Sequence, residues 1–237
     1  MTEDYCSIII CEALKQRRFA LLIDEARRVC KAHQISTPKS ELVSSADEAV
    51  EKSAEIGYPV ALKIVSPGII HKTDFGGVIL DVRNEKDLRI QFEELLSNIK
   101  GRQPTAAIQG VLVEKMMPAS TEVIIGGIRD GQFGPSVMFG IGGIFAEVYN
   151  DVIFRVAPID RIDAVNMIEG LKGSIILRGI RGKPPLDIDG LVDAMINVSE
   201  IMCQHNKISQ LDLNPVIVYP NEVCAVDSRI ILAEGEA

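Results

Sequence analysis

One of the chain's three histidines, His71, lies in a loop bracketed by glycines, within KIVSPGIIHKTDFGGVIL (residues 63–80). An imidazole has an ordinary pKa of about 6.5, so near neutral pH its nitrogen can accept and carry a phosphoryl group. Pro67–Gly68 and Gly76–Gly77 are candidate hinges for such a carrier, and Lys72 would favour its phosphorylated state. The alternative is an ordinary solvent-exposed loop histidine.

Three oxygen-bearing side chains near the C-terminus form a second candidate site. Asp212 and Asn214 are two residues apart, so on a strand they project from one face, and Asp227 lies in the next apolar strand. Two carboxylates and an amide suit Mg²⁺, which takes its remaining ligands from water and phosphates. The alternative is that DLNP forms a turn with capping side chains. The surrounding apolar residues favour a continuous strand.

A lysine in an apolar strand is the third candidate. Lys63 stands in the middle of VALKIV, and a lysine held by a sheet is a suitable point charge for a nucleotide phosphate. A strand lysine that points to solvent fits the pattern equally well. The other two histidines, His33 and His205, fall in helical patterns without glycine neighbours, and ordinary structural roles suffice for them.

The elements that position these candidates alternate in the first third of the chain. Residues 20–34 have helical spacing, and Ser45 with Glu48 forms a capping box for a helix that ends near Gly57. Two strands flank the histidine loop, and a helix from Asn84 stops at Gly101. The predicted order is helix, helix, strand, loop, strand, helix.

After Pro104 the pattern changes to short apolar runs divided by glycine, proline and aspartate, which is typical of an antiparallel sheet with hairpins. Two helical segments follow, AVNMIEGL and DIDGLVDAMINVSEIMCQH. Two strands joined by a turn at Pro220–Asn221 close the chain. We therefore predict an α+β protein in three parts: an N-terminal extension (1–20), a subdomain with the histidine loop (21–104) and a subdomain with the metal site (105–237).

Composition restricts the function classes. The chain has 237 residues, 47% of them apolar and 24% charged, as in ordinary globular proteins. Its net charge of −8 argues against binding to nucleic acid or to an anionic membrane surface. The N-terminus lacks a signal-peptide pattern, and the five scattered cysteines form no CxxC pair. We expect a cytoplasmic protein with buried, reduced thiols.

Four segments carry a resemblance to the ATP-grasp family. They are GYPVALKIVSPGIIHKTDFGGV, VLVEKMMPASTEVIIGGIRD, GIGGIFAEVYNDVIFRVAPI and LDLNPVIV with CAVDSRI, and together they span roughly residues 20–232. The order resembles the β subunit of ADP-forming acetyl-CoA synthetase most closely, and the succinyl-CoA synthetase β subunit more distantly. The resemblance implies an ATP-grasp fold of two α/β lobes with a nucleotide cleft between them.

The resemblance also implies residue roles. Lys63 would contact the ATP phosphates, Glu114 and the backbone near Met116 the adenine edge, and Glu122 the ribose or phosphate. Arg129 would stabilise the transferred phosphate, which requires a bulge at Gly126–Gly127 because its odd spacing from Glu122 places it on the other strand face. The predicted set is catalytic His71, Arg129 and Glu122; nucleotide-binding Lys63, Gly76, Gly77, Glu114, Met116 and Glu122; and metal-binding Asp212, Asn214 and Asp227.

The glycine-dense segment FGIGGIFAEVYNDV does not match a dinucleotide fingerprint. Its glycines, Gly140, Gly142 and Gly143, either allow a tight turn or, by resemblance, line a loop near the phosphates or a subunit contact. Glu147 is a further candidate neighbour of the metal.

The function implied by the resemblance is one half of an enzyme. Mg²⁺ and ATP or ADP would bind here, while an α subunit with its own phosphorylated histidine would carry the CoA and acyl-phosphate site in an α2β2 heterotetramer. The reaction would be acetyl-CoA + ADP + phosphate ⇌ acetate + ATP + CoA. The alternatives are a subunit of a succinate-type or other acyl-CoA ligase, and a non-catalytic ATP-grasp module that senses nucleotide.

Overall fold

A computed structural model describes residues 2–69, 72, 75–142, 151–180, 182 and 184–233. The helices in these ranges are α1 (Thr2–Lys15), α2 (Ile23–Ala32), α3 (Ala46–Ile56), α4 (Glu85–Arg102), α5 (Arg161–Gly170) and α6 (Ile188–Gln204). The strands are β1 (Ser40–Val43), β2 (Val60–Val65), β3 (Val78–Val82), β4 (Gly110–Lys115), β5 (Thr121–Asp130), β6 (Gly134–Ile141), β7 (Val152–Val156), β8 (Ile208–Val218), β9 (Val223–Ala225) and β10 (Ser228–Leu232).

The chain divides into two compact units. The smaller unit is Pro38–Pro118, and the larger combines Met1–Thr37 with Ala119–Ala237. The boundary predicted at residue 104 falls too early, because β4 pairs with both β1 and β2 and so belongs in the interior of the smaller sheet. Residues 21–37 belong with the larger unit, where α2 packs against β10. Pairing between distant segments therefore sets the boundary.

The smaller unit is an antiparallel sheet in the order β1-β4-β2-β3 among the described strands. One face of the sheet packs against α3 and α4 through buried apolar side chains such as Leu62, Ile64 and Phe92. Burial of each such side chain stabilises the fold by about 1.5–3 kcal/mol. Adjacent strand residues point to opposite faces, so Lys63 and Glu114 share the face that α3 and α4 do not cover.

The larger unit is an antiparallel sheet in the order β10-β8-β5-β6-β7, with β9 paired to β8. Helices α5 and α6 pack on one face. Gly127 permits the close approach of α6, because a Cβ at this position would lie 2.5 Å from Cγ of Met202. We call the face that α5 and α6 do not cover the outer face. Glu122, Asp212 and Asn214 lie on it.

Most predicted elements are confirmed, with differences at their ends. The hydroxyl of Ser45 accepts the Glu48 N–H at 3.2 Å and caps α3, but the Glu48 carboxylate accepts the N–H of Ser44 at 2.8 Å. Helix α4 continues through Gly101 to Arg102. The sequence analysis did not predict α1 or the four-residue β1.

The structure bears on the burial of the cysteines and on membrane-spanning helices. Cys6, Cys30 and Cys224 are buried, whereas Cys11 and Cys203 are exposed, so the expectation that all five thiols are buried is wrong for these two. Within the described ranges, every helix is too short or too polar to cross a membrane.

Candidate functional site

The predicted metal ligands lie together at one end of the larger sheet. Asp212 and Asn214 project from the outer face of β8, while Leu211 and Leu213 are buried in the core and Pro215 is half-buried. The register of β8 with β10 pairs Asp212 with Arg229. Asp227 was predicted to lie in a strand, but it directly precedes β10, which begins at Ser228, and its carboxylate accepts the Ser228 N–H at 3.0 Å. Strand β8 extends from Ile208 to Val218 with a register shift against β5 at Asn214–Pro215, so DLNP lies within an irregular strand and not in a capped turn.

The charges in this group fit a cation. Partial burial raises the pKa of the Asp212 carboxyl, and the negative charge of Asp227 raises it further, while Arg229 acts in the opposite direction. The Arg229 guanidinium lies 3.7 Å from Asp212. The Asp212 and Asp227 carboxylates, together with the amide oxygen of Asn214, form the hard oxygen donor set that Mg²⁺ prefers. The residues present therefore fit a magnesium ion.

We expect Asp212→Asn to stabilise the metal-free chain at pH 7. The carboxyl pKa is higher in the folded state than in the unfolded state, so ionisation opposes folding once the pH exceeds the folded value. An amide removes that penalty, and the gain should vanish below about pH 3.9, the ordinary carboxyl value. Thermal unfolding across pH measures it, with the exposed Glu200→Gln as the control. A lower melting temperature at pH 7 would contradict the assignment.

Glu122 shares the outer face with Asp212, and its side chain is exposed on β5. Its carbonyl oxygen accepts the N–H of Gly142 at 2.8 Å, and a Cβ on Gly142 would lie 2.9 Å from that oxygen. A Cβ on Gly140 would lie 2.7 Å from Val152. These two glycines therefore allow close contact between strands, and the predicted tight turn stays a prediction. Gly143 and Glu147 lie outside the described residues.

The structure does not bring Arg129 to the metal ligands. Strand β5 pairs with β6 without a register shift from Val123 to Asp130, so the bulge needed at Gly126–Gly127 is not formed. Arg129 stays on the face that packs against α6. Its guanidinium donates to the carbonyl oxygens of Met202, His205 and Ile208 at the end of that helix. The predicted phosphate-stabilising role of Arg129 is corrected to a helix-capping one.

Arg129→Gln is accordingly expected to lower the free energy of unfolding by about 2 kcal/mol, because a charged donor to three helix-end carbonyls is lost. ATP formation by the folded variant should stay close to that of the unchanged protein. Denaturant unfolding and turnover measured below the transition test this. Arg155→Gln on β7, which removes an exposed pair with Asp163, is the matched control. A loss of turnover without a loss of stability would restore the catalytic assignment.

In the smaller unit, Lys63 and Glu114 form a buried ion pair. The Lys63 ammonium lies 3.1 Å from one Glu114 carboxylate oxygen and 3.3 Å from the other. Their side chains are only 7% and 2% exposed, so the solvent-facing alternative for Lys63 is wrong and Glu114 is equally buried. The Glu114 carboxylate therefore helps to hold the buried Lys63 ammonium at a fixed position on the sheet.

The backbone at Met116 is already engaged. Its N–H donates to the carbonyl oxygen of Pro59 at 3.1 Å, and the preceding Lys115 donates from Nζ to the carbonyl oxygens of Gly57 and Tyr58. The predicted adenine donor at the Met116 N–H is therefore used within the smaller unit. The Met116 carbonyl remains the candidate acceptor.

The histidine loop is described only at its ends, and His71 lies outside the described residues. Gly76 has a left-handed backbone with φ of 68°. Gly77 is fixed: its N–H donates to Lys72 O at 2.7 Å, and its carbonyl accepts the N–H of Ile64 at 2.8 Å. A Cβ on Gly77 would lie 2.6 Å from Ile64 Cγ2. Gly77 anchors the loop to β2, so a hinge on this side falls at Gly76.

The comparisons with known proteins agree with this geometry. A family model described as an ATP-grasp domain matches residues 12–232. The chain belongs to the ATP-grasp family. The β subunit of acetate–CoA ligase (ADP-forming) I from Pyrococcus furiosus is 44% identical over 223 residues, which cover 94% of this chain and 96% of that one. The resemblance predicted from the sequence is confirmed.

Of two further relatives of this ATP-grasp chain, one is a longer chain and the other has a solved structure. Acetate–CoA ligase (ADP-forming) I from Archaeoglobus fulgidus is 46% identical over 210 residues, which cover 89% of this chain but 30% of that longer one. A structure of acetyl-coenzyme A synthetase 1 from Candidatus Korarchaeum cryptofilum has a TM-score of 0.85 at 41% identity, and the match covers 96% of this chain and 100% of that one. That protein holds coenzyme A and Mg-AMPPCP, with a phosphohistidine segment pointing towards its nucleotide binding site.

Arg229 was not among the residues predicted from the sequence. It follows Asp227 by two residues, so strand alternation places it on the outer face, where it is the cation beside Asp212. The signal was available in the motif CAVDSRI, since the same rule had already grouped Asp212 with Asn214.

Proposed function

We propose that this chain is the nucleotide-binding β subunit of an ADP-forming acetyl-CoA synthetase that makes ATP from ADP and phosphate as acetyl-CoA is cleaved. One observation carries the proposal: in an ATP-grasp chain, Asp212 and Asn214 project from one face of β8, and the Asp227 charge is close enough to Asp212 to raise its pKa. The similarity to an ADP-forming ligase β subunit over nearly the full length of both chains supports the same reaction.

Each polar group then has a task. Asp212, Asn214 and Asp227 would hold Mg²⁺, which supplies charge neutralisation at the nucleotide phosphates when it is bound. Lys63, held in place by Glu114, provides a further positive charge for the phosphates. Arg229, and not Arg129, supplies the guanidinium on the outer face, where it pairs with Asp212 in the strand register. Glu122 contacts the ribose or phosphate.

His71 would carry the phosphoryl group between two distant centres. Its imidazole nitrogen attacks phosphorus on the α-subunit histidine, so a new N–P bond forms as the old one breaks. A terminal phosphate oxygen of ADP then attacks the same phosphorus, and the bond to His71 breaks to give ATP. The phosphohistidine segment of the K. cryptofilum relative supports a mobile carrier in this family.

The partner would be an α subunit that carries the CoA and acyl-phosphate site, as α2β2. The longer A. fulgidus ligase supports this, because this chain spans less than a third of its length. The acyl group is therefore selected outside this chain.

The test is phosphate transfer from labelled ATP. The full chain, with its α subunit and Mg²⁺, is incubated with γ-labelled ATP, and label on the chain should be acid-labile and base-stable, as expected for phosphohistidine. Asp212→Asn should reduce labelling by about 100-fold or more, since an essential ligand is lost. Nucleotide binding without any such label would support a sensing module. Turnover with succinate instead of acetate would reassign the acyl substrate.

A further inference from the structure

Three side chains from separate parts of the larger unit meet in its core. Cys6 lies on α1, His33 directly follows α2, and His205 directly follows α6. One ligand atom from each, sulfur or ring nitrogen, lies within 4.8 Å of the other two, and all three residues are buried. These residues do not lie on the outer face, because α6, which His205 follows, packs on the opposite face of the sheet. The nucleotide chemistry does not use them.

The distances agree with a metal site. The two Nε2 atoms of His33 and His205 are 3.2 Å apart. In a tetrahedral site with metal–nitrogen bonds of about 2.0–2.1 Å, two nitrogen ligands lie about 3.3 Å apart. The rings are nearly perpendicular, at 89° with centroids 5.4 Å apart, so the nitrogens converge while the ring faces do not stack.

Hydrogen bonds fix the two histidine turns. The His33 N–H donates to the carbonyl oxygens of Val29 and Cys30 at the end of α2. The turn that carries His205 is held by Arg129, which donates to its carbonyl and to the two nearby ones. Arg129 is thus a positioning residue for this cluster. Preorganised backbone at both histidines reduces the entropy lost when a ligand binds.

We propose that Cys6, His33 and His205 bind a thiophilic d¹⁰ cation of the zinc class. One sulfur and two imidazole nitrogens are borderline-soft ligands, in contrast to the oxygen donors of the magnesium site, so the two sites select different metals. Binding breaks the S–H bond of Cys6, forms a metal–sulfur bond and releases the proton to solvent. The cation would join α1 to the ends of α2 and α6.

The burial of Cys6 agrees with this chemistry. Burial raises the pKa of its thiol, so the metal-free cluster holds a neutral thiol at neutral pH. A bound cation converts it to the thiolate, which is the metal-binding form of cysteine. Because α1 contributes the sulfur and packs against α2, binding should also stabilise the position of α1.

Metal titration of the full chain tests the proposal. The chain is treated with a chelator under reducing conditions and titrated with Zn²⁺ against a chromophoric competitor in excess Mg²⁺. We expect one equivalent of Zn²⁺ to bind and the melting temperature to rise. Cys6→Ser should weaken binding by about 100-fold or more. Cys203→Ser, an exposed cysteine near the end of α6, is the control and should bind as the unchanged chain does.

Co²⁺ provides a readout that does not depend on a variant folding. A cobalt complex of the unchanged chain should show a thiolate-to-metal charge-transfer band and the intense visible bands of a four-coordinate site, and Cys6→Ser should abolish the first. Failure to bind Zn²⁺ at one equivalent overturns the proposal, as does a cobalt spectrum without the thiolate band. Equal loss of Zn²⁺ binding in Cys6→Ser and Cys203→Ser would also overturn the proposal. The cluster would then be a hydrogen-bonded histidine pair beside a core thiol.

Discussion

Replacing His71 with asparagine should lower ATP formation by the reconstituted enzyme about 1,000-fold or more while leaving nucleotide binding by this chain nearly unchanged. Asparagine is polar and of similar size, but its amide nitrogen cannot form a phosphoryl intermediate, so the covalent route between the two centres is lost. Turnover from acetyl-CoA, ADP and phosphate measures the first effect, and calorimetric titration with ADP and Mg²⁺ measures the second.

Single-turnover analysis locates the lost step. With His71→Asn, the α subunit should still release CoA from acetyl-CoA and phosphate once per site, because that half-reaction precedes the carrier. Gly101→Ala on α4 is a control in the smaller unit outside the loop and its candidate hinges, since a Cβ there would meet no atom within 4 Å. It should turn over normally. Full ATP formation by His71→Asn would reject the carrier role, whereas loss of ADP binding would indicate that the substitution disturbs the nucleotide site.

Local patterns predicted most of the helices and strands, because apolar periodicity and turn residues act over a few neighbours. The unit boundary could not be predicted in this way. Strand β4 follows the change of pattern at Pro104, yet its partners β1 and β2 precede that change. The short β1 has too few residues to show alternation, and its identity depends on the pairing with β4.

The candidate site shows the same division between local and long-range information. Asp212 and Asn214 share a face by simple alternation, so their grouping followed from the sequence. The face occupied by Arg129 depended on whether β5 contains a bulge, and pairing with β6 excludes one. Lys63 could face solvent or the interior, and Glu114, 51 residues away, decides the question.

The cluster of Cys6, His33 and His205 had no sequence signal. Its members are far apart in the sequence and follow no metal-ligand spacing: Cys6 lies within α1, and His33 and His205 follow the ends of ordinary helices. Only the packing of α1, α2 and α6 in one core brings them together. Sites whose ligands come from separate helices become visible when the folded structure shows which side chains lie close together.

Glu114→Gln is expected to destabilise the smaller unit by about 3 kcal/mol, because it leaves the Lys63 ammonium buried without its carboxylate. The side chains match in shape, so the loss reports charge and not packing. The midpoint of urea unfolding measures the effect, and hydrogen exchange of the β2 and β4 amides assigns it to the smaller unit. Lys63→Met should cost a similar amount by leaving the carboxylate uncompensated.

The double variant Lys63→Met/Glu114→Leu separates stability from function. With both charges removed, the buried site needs no ion pairing, and replacing a buried pair by apolar residues is often neutral or stabilising. Stability should therefore recover relative to either single variant. ADP and ATP binding should remain weak, since the positive charge proposed for the phosphates is absent. A double variant that recovers both stability and nucleotide affinity would show that the pair only holds β2 to β4, and that another cation serves the phosphates.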